Sequence, residues 1–195
     1  MVELKLLRDA LENAPVIQRG KYAYFVNPLQ GVAPPLKPSL LKEVAAEIKK
    51  TADLDVDYIV TAEVMGIHVS ALVSYETGIP LVIIRKKKFG LEGEVEVPIE
   101  RSYRRIAGEK EEVLYINSIK KGDRVLLIDD VMSEGGTVIS IVKGLRKIGA
   151  VVKDIVIVMN RGRGPERVKE ETGQTVKTLA DVTMEGGKVR ILSIK

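Results

Sequence analysis

A chain of 195 residues that is 45% hydrophobic is large enough for one α/β unit with a substantial core. It has no cysteine and a single histidine, His68, which excludes disulfides, thiol nucleophiles, cysteine-based zinc sites and Ser-His chemistry. The formal net charge of +4 suits a polyanion, either a nucleic acid or a phosphorylated small molecule, and basic residues group at Arg85-Lys86-Lys87-Lys88 and at Arg101, Arg104 and Arg105.

In chain order, the opening MVELKLLRDALEN is charged and amphipathic and lacks the apolar centre of a signal peptide. Residues 22–38 are rich in Pro and Gly around the cluster Tyr22, Tyr24 and Phe25; they read as an irregular flap rather than a sheet strand, folding against residues 175–194 as a small cap. Leu40, Leu41, Val44, Ala45 and Ile48 recur at helical spacing. Continuous β-branched runs at 56–61, 81–84, 125–128 and 155–159 predict strands buried on both faces. Helical patterns at 67–75 and 138–148 separate them, the second stopped by Gly149. Strands alternating with helices imply an α/β fold with a parallel sheet and right-handed crossovers. Residues 94–116 break that alternation and predict a β-hairpin with a long mobile tip. No apolar run approaches the roughly 18 residues of a membrane span, so the expectation is a soluble, cytoplasmic protein with no membrane partner. Charged residues make up 30% of the chain, and Asn and Gln are scarce, a composition that resembles heat-adapted proteins.

The segment VLLIDDVMSEGGT, Val125 to Thr137, carries the most chemistry. Its strand delivers Asp129 and Asp130 to the carboxyl end, where open α/β sheets have their ligand crevices. Ser133, Glu134, Gly135, Gly136 and Thr137 then turn into a helix. The paired glycines permit close backbone approach and positive φ, so that N–H groups and the Ser133 and Thr137 hydroxyls converge on one phosphate at the helix N-terminus. The helix dipole contributes only about 0.3–2 kcal/mol, against about 8 kcal/mol for micromolar binding, so several charge-assisted bonds must act together. Two carboxylates would repel that phosphate unless they face ribose hydroxyls and the water shell of a Mg²⁺ held by a diphosphate. A phosphorylated sugar meets both demands. The plainer reading is a strand ending in an Asp-Asp turn with a helix cap. The segment is neither a Walker loop nor a dinucleotide fingerprint.

This segment resembles the phosphoribosyl pyrophosphate (PRPP) motif of type I phosphoribosyltransferases. Together with KYAYFVNPL, TAEVMGI, TGIPLVIIRKKK, LYINSIKKGDRVLLIDDV and RGRG...ETG...KTLADV, in that order, the chain is similar to the archaeal hypoxanthine/guanine phosphoribosyltransferases, a subgroup close to adenine phosphoribosyltransferases. The resemblance implies the type I fold, a central mainly parallel sheet flanked by helices, over 1–195. It further implies a hood from about 15–38 and 175–195, a core of about 39–174 and a flexible β-hairpin loop. It implies purine salvage: PRPP and a purine base give a purine nucleotide and pyrophosphate. Asp129 and Asp130 would hold the ribose hydroxyls, Ser133 to Thr137 the 5-phosphate, and the Glu63, Val64, Met65 and Gly66 loop the pyrophosphate. Arg85 and Lys86 would neutralise the leaving group. Tyr24, Phe25 and Val26 would bind the base, and Ser102 and Tyr103 would sit in the closing loop. Mg²⁺ is expected as the cofactor, bound with PRPP and water near Asp129 and Asp130 with no direct protein ligand. A homodimer is expected as well.

Some positions depart from the family pattern. Met65 stands where adenine-specific relatives have Arg, Glu134 where Thr is usual, and Gly90-Leu91-Glu92-Gly93 where a Lys-Leu-Pro-Gly run is usual. The general acid/base is unassigned, with Glu109, Glu111 and Glu112 near the closing loop. His68, just past the pyrophosphate loop, reads as a helix-surface residue before it reads as a catalyst. Adenine remains an alternative substrate. A PRPP-sensing regulator that binds nucleic acid is an alternative of another class, disfavoured because the residues before the hood are too few for a helix-turn-helix.

Overall fold

The computed structural model describes residues 4–19, 22–99 and 112–195. The elements run α1 (Lys5–Glu12), β1 (Val16–Arg19), β2 (Tyr22–Phe25), α2 (Pro38–Thr51), β3 (Tyr58–Ala62), α3 (Ile67–Thr77) and β4 (Leu81–Ile84). They continue with β5 (Val95–Pro98), β6 (Val113–Ile116), β7 (Arg124–Met132), α4 (Gly136–Ile148), β8 (Val151–Asn160), α5 (Gly164–Thr172), β9 (Lys177–Glu185) and β10 (Lys188–Ile194). Among the described residues, no helix is long and apolar enough to cross a membrane.

The central sheet has the order β10-β9-β8-β7-β3-β4. Neighbours from β9 to β4 pair parallel, and only β10 pairs antiparallel to β9. All four strands expected from continuous apolar runs are present, and β7 and β8 extend well beyond those runs. Their added ends are held by pairing with each other, Asp129 opposite Ile157 and Met132 opposite Asn160, so residues too polar to read as strand are carried into it.

Alternation along β7 decides which way each side chain faces. Leu126 and Ile128 pack with Val69 and Val73 of α3 and with Phe25 and Leu29. Val125 and Leu127 pack on the opposite face with Val138, Ile141 and Leu145 of α4. Each such fully buried side chain stabilises the fold by about 1.5–3 kcal/mol. Asp130 continues the Leu126 and Ile128 face toward the N-terminal segment, where Asn27 Nδ2 meets its carboxylate, and Asp129 abuts Gly66 at the start of α3.

Two elements differ from expectation. The region around Tyr22 to Phe25 is not irregular: β1 and β2 form an antiparallel ribbon in which Val16 opposes Phe25 and Ile17 opposes Tyr24. The irregular part is the Pro-rich stretch after it, beginning with a 3-10 turn at Pro28–Gln30. Local Pro and Gly content hid the ribbon, whereas pairing of β-branched with aromatic residues makes it. The C-terminal segment forms β9 and β10, the outer strands of the central sheet, with Leu179, Ala180 and Val182 in the same apolar cluster as Phe25 and Leu29. The expected hairpin is present as β5 and β6, with Val95 opposite Ile116 and Pro98 opposite Val113.

Candidate active site

Loops at the carboxyl ends of β3, β7 and β8 converge on one side of the sheet, as the topology of an open α/β sheet requires. The first cleft there, about 190 Å³, is lined by Glu63, Val64 and Met65, by Lys86, by Asp129 and Asp130, and by Thr137. The structure thus brings the acidic pair, the 63–66 loop, one of the two expected cations and the start of α4 into one cavity.

Gly66 occupies the tightest point. A Cβ built there would lie 2.3 Å from Thr61 Oγ1 and 2.6 Å from Asp129 Oδ1, so only glycine lets this loop sit against the acidic pair. The Glu63–Val64 peptide is cis. Glu63 does not point its charge into open cleft: Oε1 accepts the Lys86 N–H at 2.6 Å, and Oε2 pairs with Arg85 Nε at 2.9 Å. Arg85 in turn lies over the Phe89 ring, 5.3 Å from its centroid. The two cations expected to act together are therefore divided. Lys86 lines the cleft, while the Arg85 guanidinium is engaged by Glu63 beside it.

The acidic pair is electrostatically loaded. Burial, and next the charge of Asp130, push the Asp129 carboxyl well above the usual carboxylate range. Burial also raises Asp130, opposed by hydrogen bonds involving Asp129 and nearby backbone N–H groups and by His68. The Asp130 N–H donates to Asp129 Oδ1 at 2.9 Å, and Asn27 Nδ2 donates to Asp130 Oδ2 at 2.5 Å. His68 is half-buried rather than a surface residue, and its Nε2 has no hydrogen-bond partner among the described residues.

The loop of residues 133–137 is braced from beyond the next strand. Gly135, at φ +77°, caps α4, whose first N–H groups have no intrahelical acceptors. The Gly164 N–H donates to Ser133 O at 2.8 Å, and the Arg161 N–H donates to Met132 O at 2.9 Å. Glu134, the departure from the family pattern, is exposed. Arg167 lies 3.9 Å from its carboxylate and donates to its backbone oxygen at 2.7 Å. The carboxylate is thus turned toward a cation on α5.

A second cleft of about 230 Å³ adjoins the first and is lined by Tyr24, Phe25, Val26, Asn27, Val131 and Arg161, among others. Phe25 is only 7% exposed and largely serves the core, whereas Tyr24 is 39% exposed with Arg161 stacked on its ring, 5.1 Å from the centroid. The Val26 N–H already donates to Pro15 O at 2.7 Å. Ser102, Tyr103, Glu109 and Glu111 lie outside the described residues. Glu112 lines the first cleft.

Asn27, Arg161 and Arg167 were not singled out from sequence. Arg161 had a signal: it follows the carboxyl end of a predicted strand, on the edge of the sheet where ligands bind. Asn27 had none beyond its place in the YFVNPL segment, because its partner lies 103 residues away.

Comparison with known proteins agrees with this geometry. Residues 37–187 match the family model described as the phosphoribosyl transferase domain. The hypoxanthine/guanine phosphoribosyltransferase of Methanothermococcus okinawensis is 49% identical over 97% of this chain and 100% of its own. That of Methanocaldococcus infernus is 48% identical over 95% and 98%. Among solved structures, adenine phosphoribosyltransferase from Thermoanaerobacter pseudethanolicus superposes with a TM-score of 0.72 at 18% identity, covering 91% of this chain and 99% of that one. The Trypanosoma brucei adenine enzyme, in complex with AMP, pyrophosphate and ribose-5-phosphate, gives 0.71 at 21% identity, covering 90% and 79%. At such low identity these two carry the fold alone. A braced glycine loop at a helix N-terminus, an acidic pair beside it and a family match over most of the chain lead to one conclusion: the chain belongs to the phosphoribosyltransferase family, with the type I α/β fold.

Proposed function

We propose that this enzyme transfers the phosphoribosyl group of PRPP to hypoxanthine or guanine, releasing pyrophosphate, as a cytoplasmic enzyme of purine salvage. The observation that carries the reading is the pair of adjoining clefts meeting at the Asn27–Asp130 hydrogen bond: one polar and acidic, the other aromatic. The aromatic cleft, at about 230 Å³, is below the roughly 300 Å³ lower end of sites for drug-sized ligands and suits a single heterocycle.

In this reading Asp129 and Asp130 accept hydrogen bonds from the ribose 2- and 3-hydroxyls, fixing the sugar between the clefts. Ser133, Gly135, Gly136 and Thr137 hold the 5-phosphate at the α4 N-terminus, with Glu134 turned away toward Arg167. The backbone of residues 63–66 and the Lys86 ammonium meet the pyrophosphate. Tyr24, Phe25 and Val26 hold the purine so that a ring nitrogen faces the anomeric carbon. The C–N bond forms as the C–O bond breaks, the electron pair leaves on pyrophosphate, and the purine N–H proton passes to solvent water. Donors fixed around the leaving group lower the barrier because they need not reorganise as charge develops.

The acidic pair fits a Mg²⁺ carried in with PRPP. Among the described residues no cluster of three or more ligands could hold a metal alone, and Mg²⁺ characteristically keeps waters and substrate phosphates in its shell. When bound, the ion supplies positive charge to the pyrophosphate oxygens. The protein is proposed to act as a homodimer.

Incubation with Mg²⁺, PRPP and hypoxanthine, guanine or adenine in turn, with nucleotide resolved by chromatography, tests the reading. IMP and GMP formation is expected. Turnover of adenine alone would refute the substrate assignment, and PRPP binding with no turnover of any base would refute the enzyme reading.

A further inference from the structure

We infer that Thr61 is a positioning residue for the transfer: its buried hydroxyl takes up the Asp129 carboxyl from behind once PRPP is bound and aims it at the ribose hydroxyls. This rests on the phosphoribosyl-transfer reading above. Thr61 stands near the carboxyl end of β3 and is 0% exposed. Ile59 packs with the residues of α3 and Val60 with those of α4, so by alternation Thr61 returns to the α3 side. There its Oγ1 and Asp129 Oδ1 lie against one point, since a Cβ on Gly66 would come within 2.3 Å of the first and 2.6 Å of the second. Thr61 Oγ1 has no hydrogen-bond partner among the described residues. Ser70 Oγ, on the first turn of α3 and also fully buried, does not bond it and has no partner either.

A fully buried hydroxyl without a partner is costly, and native proteins keep few of them. Valine has nearly the same shape, a stronger strand preference and no polar atom, so packing alone gives no reason for threonine in the middle of this sheet. The carboxyl beside it has the matching need. Burial and the charge of Asp130 oppose a negative charge on Asp129. Against them stand the Asp130 N–H, which donates to Oδ1 at 2.9 Å, and Lys86 across the cleft. A further donor anchored on a central strand, rather than on a loop, holds the carboxyl in one orientation.

The chemistry of a hydroxyl suits this place. It accepts from a protonated carboxyl and donates to an ionised one, so a single side chain serves Asp129 before and after the sugar binds. In the proposed reading the ribose hydroxyls donate to Asp129 as a carboxylate. The Thr61 proton then turns to the same group, occupying a lone pair on the side away from the ribose and fixing the plane of the carboxylate. A hydrogen bond to an ionised acceptor is roughly twice as strong as a neutral one, so this contact strengthens as the sugar is bound.

The test compares wild type with T61V, T61A and T61S, with T61V also made in a D129N background. The readouts are the Kd of PRPP with Mg²⁺ by titration calorimetry, the KM of hypoxanthine, and Tm without ligand. T61V and T61A should weaken PRPP binding by about 10- to 100-fold, the scale of one hydrogen bond to a charged group, and leave the hypoxanthine KM within about 3-fold. T61S keeps the hydroxyl and should bind PRPP within about 3-fold of wild type. The Tm of T61V should equal or exceed that of wild type, because only an unpartnered polar atom is given up. In the D129N background, T61V should change PRPP affinity by less than about 3-fold. An equal loss with and without D129N, or a loss that T61S shares, would make Thr61 a packing residue and overturn the inference. A wild type without affinity for PRPP would sink the transfer reading and this inference with it, whereas a PRPP-binding wild type with unaffected T61V and T61A would sink only the role of Thr61.

Discussion

Asn27 and Asp130 lie 103 positions apart and are joined by a hydrogen bond of 2.5 Å, with Asn27 Oδ1 also accepting the Leu29 N–H at 2.9 Å. One side chain thus sets the turn after the β1–β2 ribbon and satisfies a buried carboxylate at the end of β7, coupling the aromatic cleft to the acidic one. N27A leaves Asp130 without this donor, a loss of about 1–3 kcal/mol, and should lower Tm by about 2–12 °C. N27D sets a third carboxylate against the pair and should raise the PRPP KM more than about 10-fold. Scanning calorimetry and steady-state kinetics measure both. An N27D enzyme with wild-type affinity for PRPP would show that the coupling has no bearing on the sugar site.

Asp129 costs the fold stability at neutral pH. Its carboxyl titrates above the ordinary range because of burial and then Asp130, so the native state binds its proton more tightly than the unfolded chain does. Stability from this group is therefore greatest in acid and declines as pH rises from the ordinary carboxylate range through the raised value. D129N removes that decline. It should raise Tm at neutral pH by about 2–4 °C, the shift from about 1 kcal/mol in a chain of this size, while reducing kcat at least about 100-fold. A thermal scan at pH 5 and pH 8 gives the sign: the gain of D129N over wild type should be larger at pH 8.

The same titration bears on substrate binding. In the proposed reading the ribose hydroxyls donate to ionised carboxylates, the stronger acceptors, so kcat/KM for PRPP should fall as pH drops through the raised carboxyl pKa, at a pH above that of a free aspartate, about 3.9. A pH profile with no acidic limb above that point would remove the acidic pair from the sugar site.

Gly66 is the steric keystone of the loop at residues 63–66. In G66A the new methyl group meets Thr61 Oγ1 at 2.3 Å and Asp129 Oδ1 at 2.6 Å, on two short side chains, with the Asp129 Cα only 3.3 Å away. The loop must move away from the acidic pair. Overpacking of this kind costs about 1–3 kcal/mol, and a displacement near 1 Å reduces turnover about 100-fold. Kinetics and calorimetry on G66A check both, and wild-type kcat would show that the loop does not need its place beside Asp129.

Glu134 and Arg167 separate by charge and by backbone support. Because the Glu134 carboxylate turns toward Arg167 at 3.9 Å, E134A should leave the PRPP KM within about 3-fold. Arg167 holds the loop through the Glu134 backbone oxygen at 2.7 Å, so R167M should raise that KM by about 3- to 10-fold. Titration of PRPP against both variants tells them apart.

Much of this protein was legible in its sequence. Continuous apolar runs gave the parallel strands, since a strand buried on both faces has no polar side to show, and the Asp129-Asp130 pair with the turn before α4 marked the carboxyl edge of the sheet, where the first cleft opens. The β1–β2 ribbon was not legible, because its stability comes from cross-strand pairs such as Val16 with Phe25 and not from local pattern. Nor could the sequence divide Arg85 from Lys86, adjacent in the chain and both basic. The ion pair of Arg85 with Glu63, from another loop, leaves Lys86 as the cation in the cleft. The sequence by itself determined the fold class and the sugar-phosphate chemistry, both written in local periodicity and short spacing. Only the tertiary structure decided that Asn27 partners Asp130, that Glu134 turns toward Arg167 and that Arg161 stacks on Tyr24, because each of these contacts joins segments distant in sequence and depends on how the elements pack.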